Sequence, residues 1–190
     1  SKVARICFFS PVITSMVVVS ILWTFLYNKD NGMINSFLSQ LGIPAQPFLL
    51  SEKQAMNSII IMSIWQAAGY QMMIFLAGLQ DVSPELYEAA QIDGANWWQK
   101  FTNVTLPGIQ HVSNFVILMT TIQAFKLFTQ PYIMTGGGPN ESTKTLAYMI
   151  YEQGFQYRNV GYSCAIAVLF FLIITVVSGI LKKLIMKEED

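Results

Sequence analysis

Charged residues are scarce in this sequence, and their scarcity excludes several classes of protein. They make up 12% of the 190 residues, whereas an ordinary soluble domain carries about 25%. Hydrophobic residues make up 53%, and the mean hydropathy is +0.45. The 11 basic and 11 acidic residues balance, so the sequence offers no basic field to hold nucleic acid. The composition predicts a chain embedded in a lipid bilayer.

Histidine and cysteine are also too few for a metal cluster or a disulfide framework. His111 is the one histidine, and Cys7 and Cys164 both lie in apolar runs. We interpret the cysteines as small packing residues and His111 as a residue at the membrane interface. We expect no metal site, no cofactor bound by this chain and no catalytic residue. The sequence opens without the pattern of a signal peptide, and we interpret it as the C-terminal part of a longer protein.

Apolar runs predict the fold class, an all-α integral membrane protein. A bilayer core of about 30 Å requires about 20 apolar residues in a helix. Four runs are candidates, at residues 6–27, 55–79, 109–134 and 160–181. Pro11 allows a kink near the start of the first span. Lys126 interrupts the third span, where it would reach the far interface.

Basic residues beside the helix ends predict the orientation of the chain. Four spans place both ends on the same side of the membrane. The basic residues that flank these ends are Lys2, Arg5, Lys182, Lys183 and Lys187. By the positive-inside rule this side is the cytoplasm. Residues 80–108 then form a cytoplasmic loop, and residues 28–54 and 135–159 are external.

The two external segments contain turn residues. Residues 28–32 read Asn-Lys-Asp-Asn-Gly, and residues 136–140 read Gly-Gly-Gly-Pro-Asn. The triple glycine does not indicate a phosphate-binding loop, because no Gly-Lys-Ser/Thr follows it and no strand precedes it. We therefore expect turns in both segments.

Residues 80–108, here called the Glu-Ala-Ala loop, carry the strongest local pattern. Ser83 predicts an N-cap with Pro84 at the first helical position, and Gly94 predicts the end of that helix. A second short helix is predicted over residues 95–105. An amphipathic loop that binds lipid should be basic, whereas this loop is acidic. Its small Ala-Ala face therefore favours a protein partner.

Two of the predicted spans carry a polar stripe near the middle of the membrane. In each stripe the residues repeat at i, i+3, i+4 and i+7 and share one helix face. The stripes are Ser63, Gln66, Ala67 and Tyr70 in the second span and Thr120, Gln123, Ala124 and Leu127 in the third. They either line a solute pathway or join the helices through hydrogen bonds. Lys126 is either a gate residue or an interfacial lysine.

The motifs of the Glu-Ala-Ala loop resemble those of a known transporter family. They are Glu88-Ala89-Ala90, Asp93-Gly94-Ala95 and Thr105-Leu106-Pro107. Their order and spacing resemble the Glu-Ala-Ala loop of permease subunits in binding-protein-dependent ABC importers. Trp65-Gln66, residues 75–80 and the Thr-Gly-Gly-Gly-Pro run at residues 135–139 are similar to the sugar-importing branch, of the maltose permease larger-subunit kind.

The resemblance implies a six-helix type I permease core, of which this chain would hold four helices. A second permease subunit, a different chain, would complete the pore in a bacterial or archaeal plasma membrane. Two ATPase subunits would use ATP and Mg²⁺, and an extracytoplasmic solute-binding protein would deliver a sugar. The residues implied to dock on the ATPase are Glu88, Ala89, Ala90, Asp93, Gly94 and Ala95. This chain has no Walker A sequence, so hydrolysis is expected on the partner.

Other functions stay open beside a carbohydrate permease. One is a permease for another polar solute such as glycerol phosphate, for which Lys126 would be the cationic candidate. Another is a structural membrane anchor, although an anchor would not explain the ordered Glu-Ala-Ala loop. An integral membrane enzyme is disfavoured, because the predicted spans contain no Asp or Glu and one Lys.

Overall fold

The computed structural model describes the backbone of residues 2–186 and the side chains of residues 6–185, and every regular element in that part of the chain is helical. Lys2, Arg5 and Lys187, on which part of the orientation prediction depends, have side chains outside the described residues. The α-helices are α1 (Lys2–Ile13), α2 (Met16–Leu26), α3 (Met33–Gln40), α4 (Ala55–Asp81), α5 (Pro84–Ile92), α6 (Trp97–Lys100), α7 (Leu106–Gly108), α8 (Gln110–Phe125), α9 (Thr129–Met134), α10 (Leu146–Tyr151) and α11 (Val160–Met186). Phe48–Leu50 form a 3₁₀ turn, and Phe101–Thr105 and Glu152–Gln156 form π turns.

The first predicted span is broken rather than continuous. Its two parts, α1 and α2, are separated by Thr14 and Ser15 and lie at 108° to each other. Ser15 has an extended ψ of 135°. The Thr14 hydroxyl donates to the carbonyl oxygen of Ser10 (3.3 Å), a local bond that competes with the helical ladder. The kink expected near Pro11 is displaced, since α1 runs through that proline and breaks after Ile13.

The helix α4 agrees with the second predicted span, extends it to Asp81 and contacts both α1 and α8. Two glycines permit these contacts. A Cβ atom at Gly69 would lie 2.0 Å from the carbonyl oxygen of Phe8, and one at Gly78 would lie 2.5 Å from Cγ2 of Val112. Small residues of this kind let helices approach closely within a membrane.

The third predicted span is also interrupted, because α8 ends at Phe125 and the short helix α9 follows. Sixteen residues of α8 correspond to about 24 Å of helix. Pro131 explains the interruption, since it has no N–H to donate to the carbonyl of Leu127 in a continuous helix. The Thr145 hydroxyl donates to that carbonyl instead (2.6 Å).

The buried core lies where α2, α4 and α9 meet. Its members are Val19, Tyr27, Ile59, Met62 and Met134. The Tyr27 hydroxyl donates to the carbonyl oxygen of Ser58 in α4 (3.1 Å). Burial of these large side chains fixes the positions of α2 and α9 against the middle helix.

Both segments predicted as external turns contain helices as well. The first segment holds α3 and the second holds α10 and a π turn. The turn predicted at residues 28–32 is formed, because the side-chain oxygen of Asn28 accepts from the backbone N–H groups of Asp30 and Asn31, each at 3.0 Å. The sequence reasoning overlooked the helices because they are only eight and six residues long.

Two described helices are long and apolar enough to cross a membrane, Ala55–Asp81 and Val160–Ile185. The bent pair of α1 and α2 makes a third candidate when it is counted as one broken span. The fourth predicted span agrees with α11, whose surface is largely exposed in this chain.

Cys7 and Cys164 are exposed because they lie on outward faces of α1 and α11, so their interpretation as packing residues is wrong within this chain.

Candidate coupling loop and solute cavity

The first half of the Glu-Ala-Ala loop folds as its capping residues predict. The Ser83 side chain accepts from the backbone N–H of Glu85 (3.3 Å), with Pro84 at the start of α5. Gly94 ends the helix with a φ of +76°, and the N–H of Ala95 bonds the carbonyl of Ala90 (2.9 Å). A left-handed residue is therefore required directly after the Glu-Ala-Ala helix.

The second half differs from the single helix predicted over residues 95–105. Asn96 and Gln99 form a reciprocal capping box that starts α6. From Phe101 the chain continues as a π turn, an arrangement that is rare and often lies at functional sites. The rings of Trp97 and Phe101 stack with centroids 5.8 Å apart.

The residues implied to dock on an ATPase lie at the surface of this chain. Four of them are exposed and two are half-buried; the exposed ones are Glu88, Ala89, Asp93 and Gly94, and the half-buried ones are Ala90 and Ala95. Large apolar side chains lie beside them, with Ile92 86% exposed and Trp97 75% exposed. The loop thus presents an acidic and apolar surface that the described chain does not cover.

Contacts that the sequence reasoning missed tie α5 to the segment that leads into α8. The Tyr87 hydroxyl and the Thr105 hydroxyl lie 3.0 Å apart, and the Lys100 ammonium donates to the side-chain oxygen of Gln91 (3.2 Å). Thr105 Oγ1 also donates to the carbonyl oxygen of Lys100 (3.4 Å). Polar contacts as well as the chain itself therefore join α5 to the segment that precedes α8.

A cavity of about 800 Å³ lies mainly between α4 and α8. All eight residues of the two predicted polar stripes line it: Ser63, Gln66, Ala67, Tyr70, Thr120, Gln123, Ala124 and Leu127. The helical period that placed each stripe on one face also brings the two faces together. The cavity is also lined by Gln71 and Gln130, which were not assigned to the stripes.

Several of the polar side chains in the cavity are engaged within the chain. Gln66 donates to the carbonyl oxygen of Thr14 at the helix break (3.5 Å), and Gln130 donates to the Ser63 hydroxyl (3.5 Å). Gln71 donates to the Thr120 hydroxyl (2.9 Å) and joins α4 to α8. These bonds support the interhelical role that the sequence left open.

Tyr70 and Gln123 differ from the other polar residues of the cavity. Neither side chain makes a hydrogen bond to another described residue. The Tyr70 side chain is 50% exposed, and Gln123 is exposed. Both therefore keep their hydrogen-bonding capacity for a molecule in the cavity. Lys126 and His111 are exposed and lie outside the cavity lining.

The triple-glycine loop, residues 135–159, is held by its own polar contacts. The Lys144 ammonium pairs with Glu141 (2.8 Å) and with the buried Glu152 (2.9 Å). Hydrogen bonds to these two carboxylates raise the pKa of Lys144 above its ordinary value. The hydroxyls of Thr135 and Thr143 lie 2.7 Å apart, and Asn140 hydrogen-bonds Glu52 in the turn before α4.

Three relatives match most of this chain. The probable ABC transporter permease protein YurN of Bacillus subtilis (strain 168) is 37% identical over 171 residues, which are 89% of this chain and 59% of that protein. The arabinooligosaccharides transport system permease protein AraP of the same strain is 35% identical over 93% of this chain and 57% of its own length. The sn-glycerol-3-phosphate transport system permease protein UgpA of Yersinia enterocolitica is 36% identical over 92% and 59%. The chain thus spans 57–59% of the length of these relatives.

Two solved structures match the fold. One is the crystal structure of a bacterial ABC transporter involved in the import of the acidic polysaccharide alginate, with a TM-score of 0.89, 23% identity and coverage of 98% of this chain and 65% of that chain. The other is the bacterial alginate ABC transporter in complex with an alginate pentasaccharide-bound periplasmic protein, with a TM-score of 0.79, 25% identity and coverage of 97% and 63%. The all-α fold of type I importer permeases is thereby confirmed.

The family model described as "Binding-protein-dependent transport system inner membrane component" matches residues 2–187, almost the whole sequence. The motifs of the Glu-Ala-Ala loop, the relatives and the fold all agree with that match. The chain belongs to the family of binding-protein-dependent transport system inner membrane components.

Proposed function

We propose that this chain is part of the permease subunit of an ATP-driven carbohydrate importer and forms one half of its translocation pore. The observation that carries the proposal is the connection between the two candidate sites. The helices α4 and α8 provide most of the cavity wall, and they are the helices that flank the Glu-Ala-Ala loop. A partner that moves the loop therefore moves the cavity wall.

The proposed partners follow from what this chain presents and what it lacks. The exposed face of α5 docks on an ATPase subunit, which binds ATP and Mg²⁺ and carries out the hydrolysis. A second permease subunit closes the open side of the cavity. A solute-binding protein delivers the sugar to the opposite face of the membrane. In support of this, the bacterial alginate ABC transporter forms a complex with an alginate pentasaccharide-bound periplasmic protein.

The orientation proposed is that both ends of the chain and the Glu-Ala-Ala loop face the cytoplasm. Cysteine variants test it in cells that express the whole importer. We expect a membrane-impermeant thiol reagent to label Gly136→Cys from outside, and to label Gln99→Cys only after the cells are opened. Labelling of Gln99→Cys in intact cells, without labelling of Gly136→Cys, would invert the orientation.

The solute cavity is tested by removing its two unengaged polar groups. In the reconstituted importer we expect Tyr70→Ala and Gln123→Ala each to weaken sugar uptake, because a lost polar contact costs about 0.5–1.5 kcal/mol, or roughly twofold to tenfold in affinity. ATP hydrolysis stimulated by the binding protein should persist in both variants. Tyr162→Ala on the exposed surface of α11 is the matched control. Loss of thermal stability with unchanged sugar affinity and preference would instead assign Tyr70 and Gln123 to helix packing.

A glycerol-phosphate importer is the second candidate, because UgpA is about as similar to this chain as AraP is. Uptake of sn-glycerol 3-phosphate in preference to any sugar would favour it. Loss of all solute-dependent ATP hydrolysis in the assembled complex would contradict both candidates.

A further inference from the structure

The polar groups of the described cavity lining are all uncharged. They are amides, hydroxyls and one phenol, from residues such as Gln66, Tyr70, Gln71, Thr120 and Gln123. Among the described residues that line the cavity, none is Asp, Glu, Lys, Arg or His. The rest of the wall is apolar and includes Phe115 and Met119.

The lysines at the end of α8 and in the following loop do not supply the missing charge. Lys126 follows the last residue of α8, is exposed and lies outside the cavity lining. Lys144 is paired with Glu141 and Glu152. An anionic group in the cavity would therefore have no cationic side chain of the described chain to meet.

A helix N-terminus is the other feature that commonly binds anions. The start of α2 reaches the cavity wall through the side chain of Met16. Its dipole acts over the first turn only and corresponds to about half a charge, which is less than the hydration that a carboxylate or phosphate loses in an apolar enclosure. The N-terminus of α2 therefore does not offset the cost of burying an anion.

We propose that this cavity selects an uncharged polyhydroxylated solute, a neutral sugar of one to three units, and discriminates against carboxylated, sulfonated or phosphorylated ones. The proposal rests on the function proposed above and narrows its substrate class. Amides and hydroxyls donate and accept hydrogen bonds as sugar hydroxyls do. The cavity volume of about 800 Å³ lies within the range of small-molecule sites, roughly 300–1,000 Å³. Sequence similarity does not decide between a neutral and an anionic solute. AraP, named for arabinooligosaccharides, and UgpA, named for sn-glycerol 3-phosphate, are about equally similar to this chain.

The test measures solute binding to the complete importer without its binding protein, because the binding protein has a selectivity of its own. The probes are maltotriose, arabinotriose and raffinose as neutral sugars, and trigalacturonate and sn-glycerol 3-phosphate as anions. We expect the best neutral probe to bind at least tenfold more tightly than either anion, with little dependence on salt. Tighter binding of an anion by the wild-type complex would overturn the proposal.

A charge placed in the cavity sharpens the test. Gln123→Lys should narrow or reverse the preference for neutral probes, whereas Asn57→Lys at the exposed start of α4 should leave the preference unchanged. Thr120→Lys repeats the experiment at a second cavity position if the first variant fails to assemble. An unchanged preference in both cavity variants would overturn the proposal, since the charge would then lie away from the solute.

The outcomes separate this inference from the proposed function. Uptake of acidic sugars in preference to neutral ones leaves the carbohydrate importer in place and removes only the neutral selectivity. Uptake of no sugar of either kind, together with the absence of sugar-stimulated ATP hydrolysis, removes the proposed function and this inference with it.

Discussion

The triple-glycine loop and the Glu-Ala-Ala loop are of similar length but are stabilised in opposite ways. In the triple-glycine loop, Lys144 bonds two carboxylates and the buried Thr143 bonds both Thr135 and the carbonyl of Gly138. In the Glu-Ala-Ala loop most side-chain hydrogen bonds are exposed and join residues close in sequence, and the apolar side chains of Ile92 and Trp97 are largely exposed. The first loop thus has buried polar contacts of its own, although Phe155 is 76% exposed, whereas the bonds of the second loop lie mostly at its surface.

This difference indicates what each loop contributes to an importer. A loop held by buried ion pairs and hydrogen bonds opens only at a high cost in free energy. A loop held mostly by exposed local hydrogen bonds opens locally at a lower cost in free energy and can follow a moving partner. The same substitution in the two loops should therefore affect stability in one and coupling in the other.

The largest contrast is expected between two lysines. Lys144→Met leaves Glu152, which is 10% exposed, without its cation, and a broken buried pair costs several kcal/mol. Because Lys144 keeps 19% exposure, we expect a loss of about 2–3 kcal/mol. Lys100→Met removes one exposed bond to Gln91 and should change stability by at most about 0.5 kcal/mol. Thermal unfolding in detergent measures the loss of stability in both variants. Equal shifts in Tm would contradict the contrast between the loops.

An intermediate contrast is expected between two glycines with positive φ. Gly137→Ala combines the strain of a φ of +86° with a Cβ only 3.0 Å from Lys144 Cγ, whereas Gly94→Ala, at +76°, meets nothing within 4 Å. The backbone strain costs about 1–2 kcal/mol at each site, so the crowded site should lose more stability. Gly94→Ala should instead lower sugar uptake per ATP hydrolysed. Normal uptake per ATP in Gly94→Ala and in the bulkier Gly94→Val would contradict the coupling role of the turn.

The smallest effect is expected at the contact between Tyr87 and Thr105. Tyr87→Phe removes the hydrogen bond between the two hydroxyls, and Thr105→Val removes that bond and the weaker one to the carbonyl of Lys100. Each bond is worth about 0.5–1.5 kcal/mol, and neither variant adds bulk to the loop. We expect little loss of expression and a lower uptake per ATP, because α5 then moves with less effect on α8. Tyr157→Phe is the control at an exposed phenol outside this loop. If the loss of uptake per ATP in the double variant, expressed as a free energy, equals the sum of the losses in the single variants, the two hydroxyls do not act together.

The features that local sequence could predict are those set by neighbouring residues. Ser83, Pro84 and Gly94 defined the helix α5, because caps and a left-handed turn depend on a few adjacent residues. The two polar stripes were predicted by the helical period, and the structure brings them to one cavity. Their role in binding a solute stays a prediction.

The features that the sequence reasoning missed depend on contacts between distant residues. The end of the third span was predicted too late, because Pro131 cannot donate a backbone hydrogen bond to the carbonyl of Leu127. The Thr145 hydroxyl, which donates to that carbonyl instead, is distant in sequence. The bond from Gln71 to Thr120 joins residues 49 positions apart. At the break between α1 and α2, the carbonyl of Thr14 accepts a hydrogen bond from Gln66, which is 52 positions away in sequence. No local pattern reports such pairs.

The bend between α1 and α2 has a consequence for hydration. A helix end leaves carbonyl groups without intrahelical partners, and bare backbone of this kind is tolerated at membrane depth only beside protein or water. Val12 and Met16, on either side of the break, both line the cavity. We therefore expect the empty cavity to hold water beside the break. A sugar hydroxyl can replace that water with little change in hydrogen bonding. An apolar solute of equal size would instead leave carbonyl groups at the break without a hydrogen-bond donor.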